Sequence, residues 1–144
     1  MYCALSFDDG PNTTTTVHML EVLKKHGVKA SFFIIGQNVT PESEKVMKAC
    51  ADYGCDIENH SWTHPFMNQM TEEQIEDEVF RTTELIKNKI GKEPEFFRPP
   101  FIAVNELMYK KISLPFICGM GCEDWVPEVS ADERVKRMLD MAHD

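Results

Sequence analysis

The chain has 144 residues, 42% of them hydrophobic and 27% charged, with a formal net charge of −9 at pH 7. That length suits one domain with a buried core, and no apolar run approaches the roughly 20 residues that a membrane span needs. The acidic balance comes without a Lys/Arg stripe and without aromatic residues interleaved with basic ones, which argues against nucleic acid, anionic membranes and strongly acidic polymers as partners.

Strands and helices alternate along the chain. Tyr2–Phe7 reads as a buried strand running into a turn at Asp8–Pro11. A helix follows from about Thr14 to His26, capped by Asn12 or Thr13 and stopped by Gly27. Val28–Ile35 reads as the second strand. Thr40-Pro41 opens a helix to about Tyr53, with Gly54 at its end. Cys55–Asn59 is a short third strand leading into His60. Thr71-Glu72-Glu73-Gln74 is a capping box before a long amphipathic helix, with Ile75, Val79, Ile86 and Ile90 on its buried stripe and Gly91 ending it. Glu95–Arg98 reads as strand four, Asn105–Lys111 as a short helix and Leu114–Cys118 as strand five. Ser130-Ala131-Asp132-Glu133 is a second capping box, starting a last helix. No repeat, low-complexity tract or linker interrupts this order, which predicts one domain.

Strands spaced by helices imply parallel β/α units, curled into a barrel-like sheet. Chemistry in such folds collects at the C-terminal ends of the strands. Asp8 and Asp9 follow strand one, His60 follows strand three, Arg98 ends strand four and Asp124 follows strand five. Residues far apart in sequence are thus expected on one face.

The five cysteines, Cys3, Cys50, Cys55, Cys118 and Cys122, cannot all pair, and none has the spacing of a zinc ribbon. An odd count fits a reduced setting better than a disulfide scaffold. Cys3 and Cys50 sit in apolar patterns and are expected in the core. The first residues lack a basic region and a cleavage site, so no signal peptide is expected within them.

Two short segments carry the chemistry. Ser6-Phe7-Asp8-Asp9-Gly10-Pro11 supplies adjacent carboxylates, and His60-Ser61-Trp62-Thr63-His64 supplies imidazoles at i and i+4. Alone, the first is an ordinary solvated turn and the second an ordinary polar pair on a helix. Together, each after a strand, they give a carboxylate and two imidazoles, a ligand set that leaves coordination positions open. The second carboxylate is left over beside it, where a general base is useful.

At these residues the chain resembles the polysaccharide deacetylases, the NodB-homology family that also contains acetylxylan esterases. The resemblance implies that family's distorted (β/α) barrel. It implies that Asp9, His60 and His64 hold one divalent metal ion, with zinc the default and cobalt, nickel or manganese also suited to the ligands. It makes Asp8 the general base. Arg98-Pro99-Pro100-Phe101 looks like the third motif, with Arg98 pairing with Asp8 and the Phe101 N–H, the first donor after two prolines, as an oxyanion contact. The family usually has Tyr-Gly where Phe101-Ile102 stand here. Glu123-Asp124-Trp125 looks like the fourth motif, Asp124 orienting a catalytic His and Trp125 walling the acetyl pocket. Gly121 stands where the family usually has Asp. Trp62 is expected to pack rather than to stack on a sugar, and His18 and His26 to lie on the surface.

The fifth motif, a strand ending in Leu-x-His-Asp, is matched only by the dipeptide in Met141-Ala142-His143-Asp144, which reads as a helix end. Residues 1–144 are therefore expected to be one deacetylase domain lacking its C-terminal strand or strands. The function so implied is a metal-dependent carbohydrate deacetylase releasing acetate, leaning to O-acetyl xylan. N-deacetylation of chitooligosaccharide or peptidoglycan is the alternative within the enzyme class, and a non-catalytic carbohydrate-binding module is the alternative outside it. The partner expected is an acetylated polysaccharide or oligosaccharide, whose neutral chain meets no repulsion from an acidic protein, and the location expected is extracellular or at the cell envelope.

Overall fold

A computed structural model of the chain describes residues 3–142. Residues 5–117 make one compact unit, and 3–4 with 118–142 make another.

In the 5–117 unit, three strands, β1 (Ser6–Gly10), β2 (Ser31–Ile34) and β3 (Asp56–Asn59), pair in parallel in chain order. Single parallel bridges continue the series from Asn59 to Phe97 and from Phe97 to Phe116. Helices α1 (Thr15–His26), α2 (Pro41–Tyr53) and α3 (Glu72–Ile90) carry the chain back between passes, and the short α4 (Glu106–Lys111) follows the fourth. This is the mixed α/β arrangement with parallel neighbours that the sequence predicts.

Several boundaries differ from expectation. β1 is described as a strand only from Ser6, and it runs on through Asp8 and Asp9, which read as a turn. β2 begins at Ser31 rather than Val28. The expected strands Glu95–Arg98 and Leu114–Cys118 shrink to the bridges at Phe97 and Phe116. Pro99, Pro100 and Pro115 offer no N–H to a ladder. Between the two segments two bonds remain: the Phe97 N–H donates to the Pro115 carbonyl at 2.9 Å, and the Ile117 N–H to the Phe97 carbonyl at 3.0 Å.

Strand alternation sorts the core. Phe32 and Ile34 of β2 join Leu20, Leu23, Met47, Ile57 and Ile86 under the helices. Phe33 faces the other way and lies 4.0 Å beneath the Arg98 guanidinium. Thr71 caps α3 with the reciprocal box its sequence predicts, and Thr40, expected only to open α2, caps it with another through Ser43. Such caps are worth about 1 kcal/mol each. Asn12 does the work at α1, its Oδ1 accepting from the Thr14 and Thr16 N–H groups. On α3 the buried stripe is less apolar than expected. Ile75 and Ile86 are buried, but so are Glu78 and Thr82 between them.

The cysteine expectation holds for Cys50, which is buried, its thiol pushed up to about 11 by that burial. It fails for Cys3, which is exposed. In the 118–142 unit, α5 (Ala131–Met141) starts at Ser130, whose Oγ accepts from the Glu133 N–H at 3.2 Å. The Glu133 carboxylate does not return to the cap and bonds Arg137 Nε at 3.0 Å instead. Among the described residues, no helix is long and apolar enough to cross a membrane.

Candidate metal centre

Successive side chains of a regular strand point to opposite faces, so Asp8 and Asp9 should diverge. They do not. Phe7 pairs with Phe32 and Gly10 with Ile34, so β1 holds one more residue than β2 over the same span. The extra residue is a bulge, and Asp9 within it adopts a left-handed φ of 66°. Both carboxylates consequently face one imidazole nitrogen: His60 Nε2 is 3.5 Å from Asp9 Oδ1 and 4.0 Å from Asp8 Oδ2. The Asn38 amide steadies the bulge by donating to the Asp9 carbonyl at 2.9 Å.

The histidine segment is not helical, despite its i, i+4 spacing. It is a loop after β3 with left-handed residues at Ser61 (φ 68°) and His64 (φ 59°). Non-glycine residues in that region persist only when their surroundings over-determine them, and here they do. Asn59 Oδ1 accepts from the Ser61 N–H at 2.8 Å, while its Nδ2 donates to the Val79 carbonyl and to Thr83 Oγ1 on α3. Glu78 Oε2 accepts from the N–H groups of Trp62 and Thr63, both at 2.8 Å, and its Oε1 accepts from Thr63 Oγ1 at 2.6 Å. Ser61 Oγ accepts from the His64 N–H at 3.0 Å. On the far side, the Gly36 and Gln37 N–H groups donate to the Ser61 and Trp62 carbonyls, each at 3.0 Å. The Trp62 ring fills the place a Cβ on Gly36 would take, with the Arg81 guanidinium 4.2 Å over it. Trp62 is thus a packing residue, as predicted.

Asp9, His60 and His64 each offer one ligand atom, and these atoms lie within 4.8 Å of one another. His60 is almost wholly buried and places Nδ1 2.6 Å from the Arg98 carbonyl. A carbonyl only accepts, so Nδ1 carries a proton, and Nε2 is the nitrogen turned to the carboxylates. His64 Nε2 lies 3.4 Å from the same Asp9 oxygen. Burial, then the neighbouring His60, hold His64 below the ordinary imidazole value. Asp9 is held below its usual range first by hydrogen bonding to His60, then, against the opposing effect of burial, by the charge of both histidines. One ionised carboxylate and two imidazoles, with Asp9 open on its solvent side, are a donor set that fits a divalent transition metal or zinc.

Arg98 joins the two halves. Its carbonyl holds His60, and its buried Nη1 donates to Asp8 Oδ1 at 2.6 Å. Asp8 is therefore tethered through one oxygen while the other faces the ligand atoms. Phe101, at φ 57°, sets its ring 4.6 Å from that of His64, edge-on, and stacks on Phe66 at 4.0 Å. Asp124 and Trp125 belong to the 118–142 unit, where both are exposed in the turn before α5. The Trp125 ring covers Gly121 there, and a Cβ at 121 would meet it at 3.3 Å. His143 and Asp144 lie outside the described residues. His18 and His26 are exposed on α1, as predicted.

Sequence reasoning missed Asn59 and Glu78. A signal existed: polar residues at 78 and 82 sit on the apolar stripe of α3, where a polar group needs a partner.

The chain matches the family model for polysaccharide deacetylase over residues 2–114. It is 44% identical over 141 residues to a bifunctional xylanase/deacetylase of Pseudobutyrivibrio xylanivorans, covering 98% of this chain and 23% of that protein. It is 34% identical over 123 residues to a peptidoglycan-N-acetylglucosamine deacetylase of Listeria monocytogenes, covering 85% of this chain and 26% of that protein. The fold superposes on a family 4 acetyl xylan esterase from Clostridium thermocellum, solved in complex with a cobalt ion, with a TM-score of 0.94 at 33% identity, covering 98% of this chain and 69% of the solved one. The chain thus spans about a quarter of the length of these curated relatives.

Proposed function

The chain belongs to the polysaccharide deacetylase family, and from that premise we propose that residues 1–144 are a deacetylase domain that hydrolyses acetyl groups from carbohydrate, with one divalent ion held by Asp9, His60 and His64. The observation that carries this reading is the split between neighbouring carboxylates. Asp9 sits with both imidazoles, while Asp8 is tied by one oxygen to Arg98 and keeps the other free. A bound ion supplies Lewis acidity, which lowers the pKa of water and polarises an acyl carbonyl. Asp8 Oδ2 takes the proton of the attacking water as its oxygen bonds to the acyl carbon. Arg98 keeps Asp8 aimed through its hydrogen bond to Oδ1. The Phe101 N–H donates to the developing oxyanion. The bond from the acyl carbon to the sugar oxygen then breaks, acetate leaves, and the proton held by Asp8 passes to the sugar.

The substrate we propose is O-acetyl xylan, supported by the likeness to a xylanase/deacetylase and to an acetyl xylan esterase. N-deacetylation of peptidoglycan is the second reading, supported by the Listeria relative. An extracellular or cell-envelope location belongs to this proposal, in keeping with the likeness to the peptidoglycan deacetylase. Zinc or cobalt is the ion we expect. Acetate release from acetylated xylan and from N-acetylglucosamine oligomers, with and without chelator, tests all of this. Chelator-sensitive release, faster on xylan, is the expected result. Release indifferent to chelator overturns the metal, and faster release from the oligomers overturns the xylan assignment.

A further inference from the structure

Glu78 is a buried carboxylate, 6% exposed, on a helix that supplies no metal ligand. Its three accepted hydrogen bonds all go to Trp62 and Thr63, the stretch between the two candidate histidines. No residue of the sheet does this. Asn59 secures only the start of the loop, at Ser61. The Ser61 hydroxyl secures its end, at His64, but Ser61 itself belongs to the loop. Without Glu78, two adjacent N–H groups would lack their acceptor, and the stretch between the left-handed residues Ser61 and His64 would lose its contact with α3.

We propose that Glu78 is a positioning residue for the metal centre, holding the His60–His64 loop in the shape that brings both imidazoles to Asp9. It rests on the metal reading above and deepens it, because it names the device that fixes ligand spacing. The function is carried by the acceptor pair rather than by the charge. In Glu78→Gln the amide oxygen can still accept from both N–H groups, and the amide nitrogen can donate to Thr63 Oγ1. Glu78→Leu has similar size and favours helix, yet accepts nothing.

Cobalt binding reads the difference, because the absorption of the bound ion reports its ligand geometry as well as its affinity. Groups that orient metal ligands typically contribute roughly 10–100-fold in affinity. Glu78→Leu is expected to bind cobalt at least about tenfold more weakly, with an altered absorption spectrum, and Glu78→Gln to bind within about threefold of the natural chain. Thr63→Val, which removes one donor from an exposed residue, should show a smaller loss in the same direction. Leu23→Ala, in the core under the helices, serves as the control lowered in thermal stability without change at the centre. Amide exchange at Trp62 and Thr63 should quicken selectively in Glu78→Leu. Unchanged cobalt affinity and spectrum in a folded Glu78→Leu overturns the proposal. Equal losses in Glu78→Leu and Glu78→Gln overturn the acceptor argument, and a loss in Leu23→Ala matching that in Glu78→Leu makes Glu78 merely structural. If Glu78→Leu does not fold, Thr63→Val decides, and no effect there overturns the proposal. A natural chain that binds no cobalt removes the metal reading and this proposal together, a result distinct from the others.

Discussion

The carboxylate strand end and the imidazole loop face each other across the centre but are built differently. Asp8 and Asp9 leave 34% and 66% of their side chains exposed, and the bulge that aims them is secured from outside chiefly by Asn38 and Arg98. The loop rests on Asn59 and Glu78, both buried, and His60 itself is 3% exposed. A rigid pair of imidazoles thus meets a pair of carboxylates with room to adjust. Histidine needs a defined ring orientation and tautomer to ligate, which packing and a hydrogen bond provide. A carboxylate offers two oxygens and tolerates rotation.

The strongest way to break this comparison is to exchange roles within the carboxylate side. Asp8→Asn should lower acetate release by roughly 10²–10⁴-fold, the usual worth of a general base, while ion content by metal analysis stays near that of the natural chain. Asp9→Asn should instead weaken the ion, and the His60→Ala, His64→Ala double variant should abolish stoichiometric uptake. Equal ion loss in the two aspartate variants would remove the distinction.

Stability sharpens the comparison further. Asn59→Ala leaves the Ser61 N–H, in a buried hydrogen bond, without its acceptor at about 1–3 kcal/mol, and also removes the bonds to the Val79 carbonyl and Thr83 Oγ1. Asn38→Ala loses a single bond near the bulge and should cost only about 0.5–1.5 kcal/mol. Urea unfolding of the two metal-free variants measures the gap, and the reverse order would show the strand end to be the stiffer half. Gly36→Ala should fall between them, at about 1–3 kcal/mol for an overpacked site, since its Cβ meets the Trp62 ring and lies 2.6 Å from Thr82 Oγ1.

The smallest effect is on pH. The folded His64 binds its proton less readily than the unfolded one. Unfolded chains take up that proton first as pH falls below about 6.5, so stability should be full above that value and decline through the window down to the folded value. Asp9, lowered from 3.8, acts with the same sign in more acid solution. Thermal unfolding of the metal-free protein between pH 7 and pH 5 should therefore show a falling Tm, and a shallower fall in His64→Gln.

Much of this was legible in the sequence, because it depends on local chemistry. The caps at Thr40 and Thr71 and the stop at Gly54 need only neighbouring residues. The His and Asp segments stand out because each follows a strand. What escaped was set by partners distant in sequence. The bulge at Asp8–Asp9 exists only relative to the register of β2. Phe97 and Phe116 lie beside prolines that limit ladders to one bridge each. Glu78 has no partner near it in sequence to mark it, and only its hydrogen bonds to Trp62 and Thr63 make it a clamp. Cys3 was judged core from apolar neighbours, but the strand is described only from Ser6.

The five parallel passes neighbour one another in the order in which the chain is made. Each strand therefore finds its partner already synthesised, and no pass waits for a later one to intervene. On the ribosome, at roughly 5–20 residues per second, the carboxylates emerge first, the histidines seconds later and Arg98 after them. The three candidate ligands are thus synthesised before Glu78, which holds the imidazole loop, and before Arg98, whose carbonyl holds the His60 ring. The geometry of the candidate centre is therefore fixed only once the fourth pass has been made.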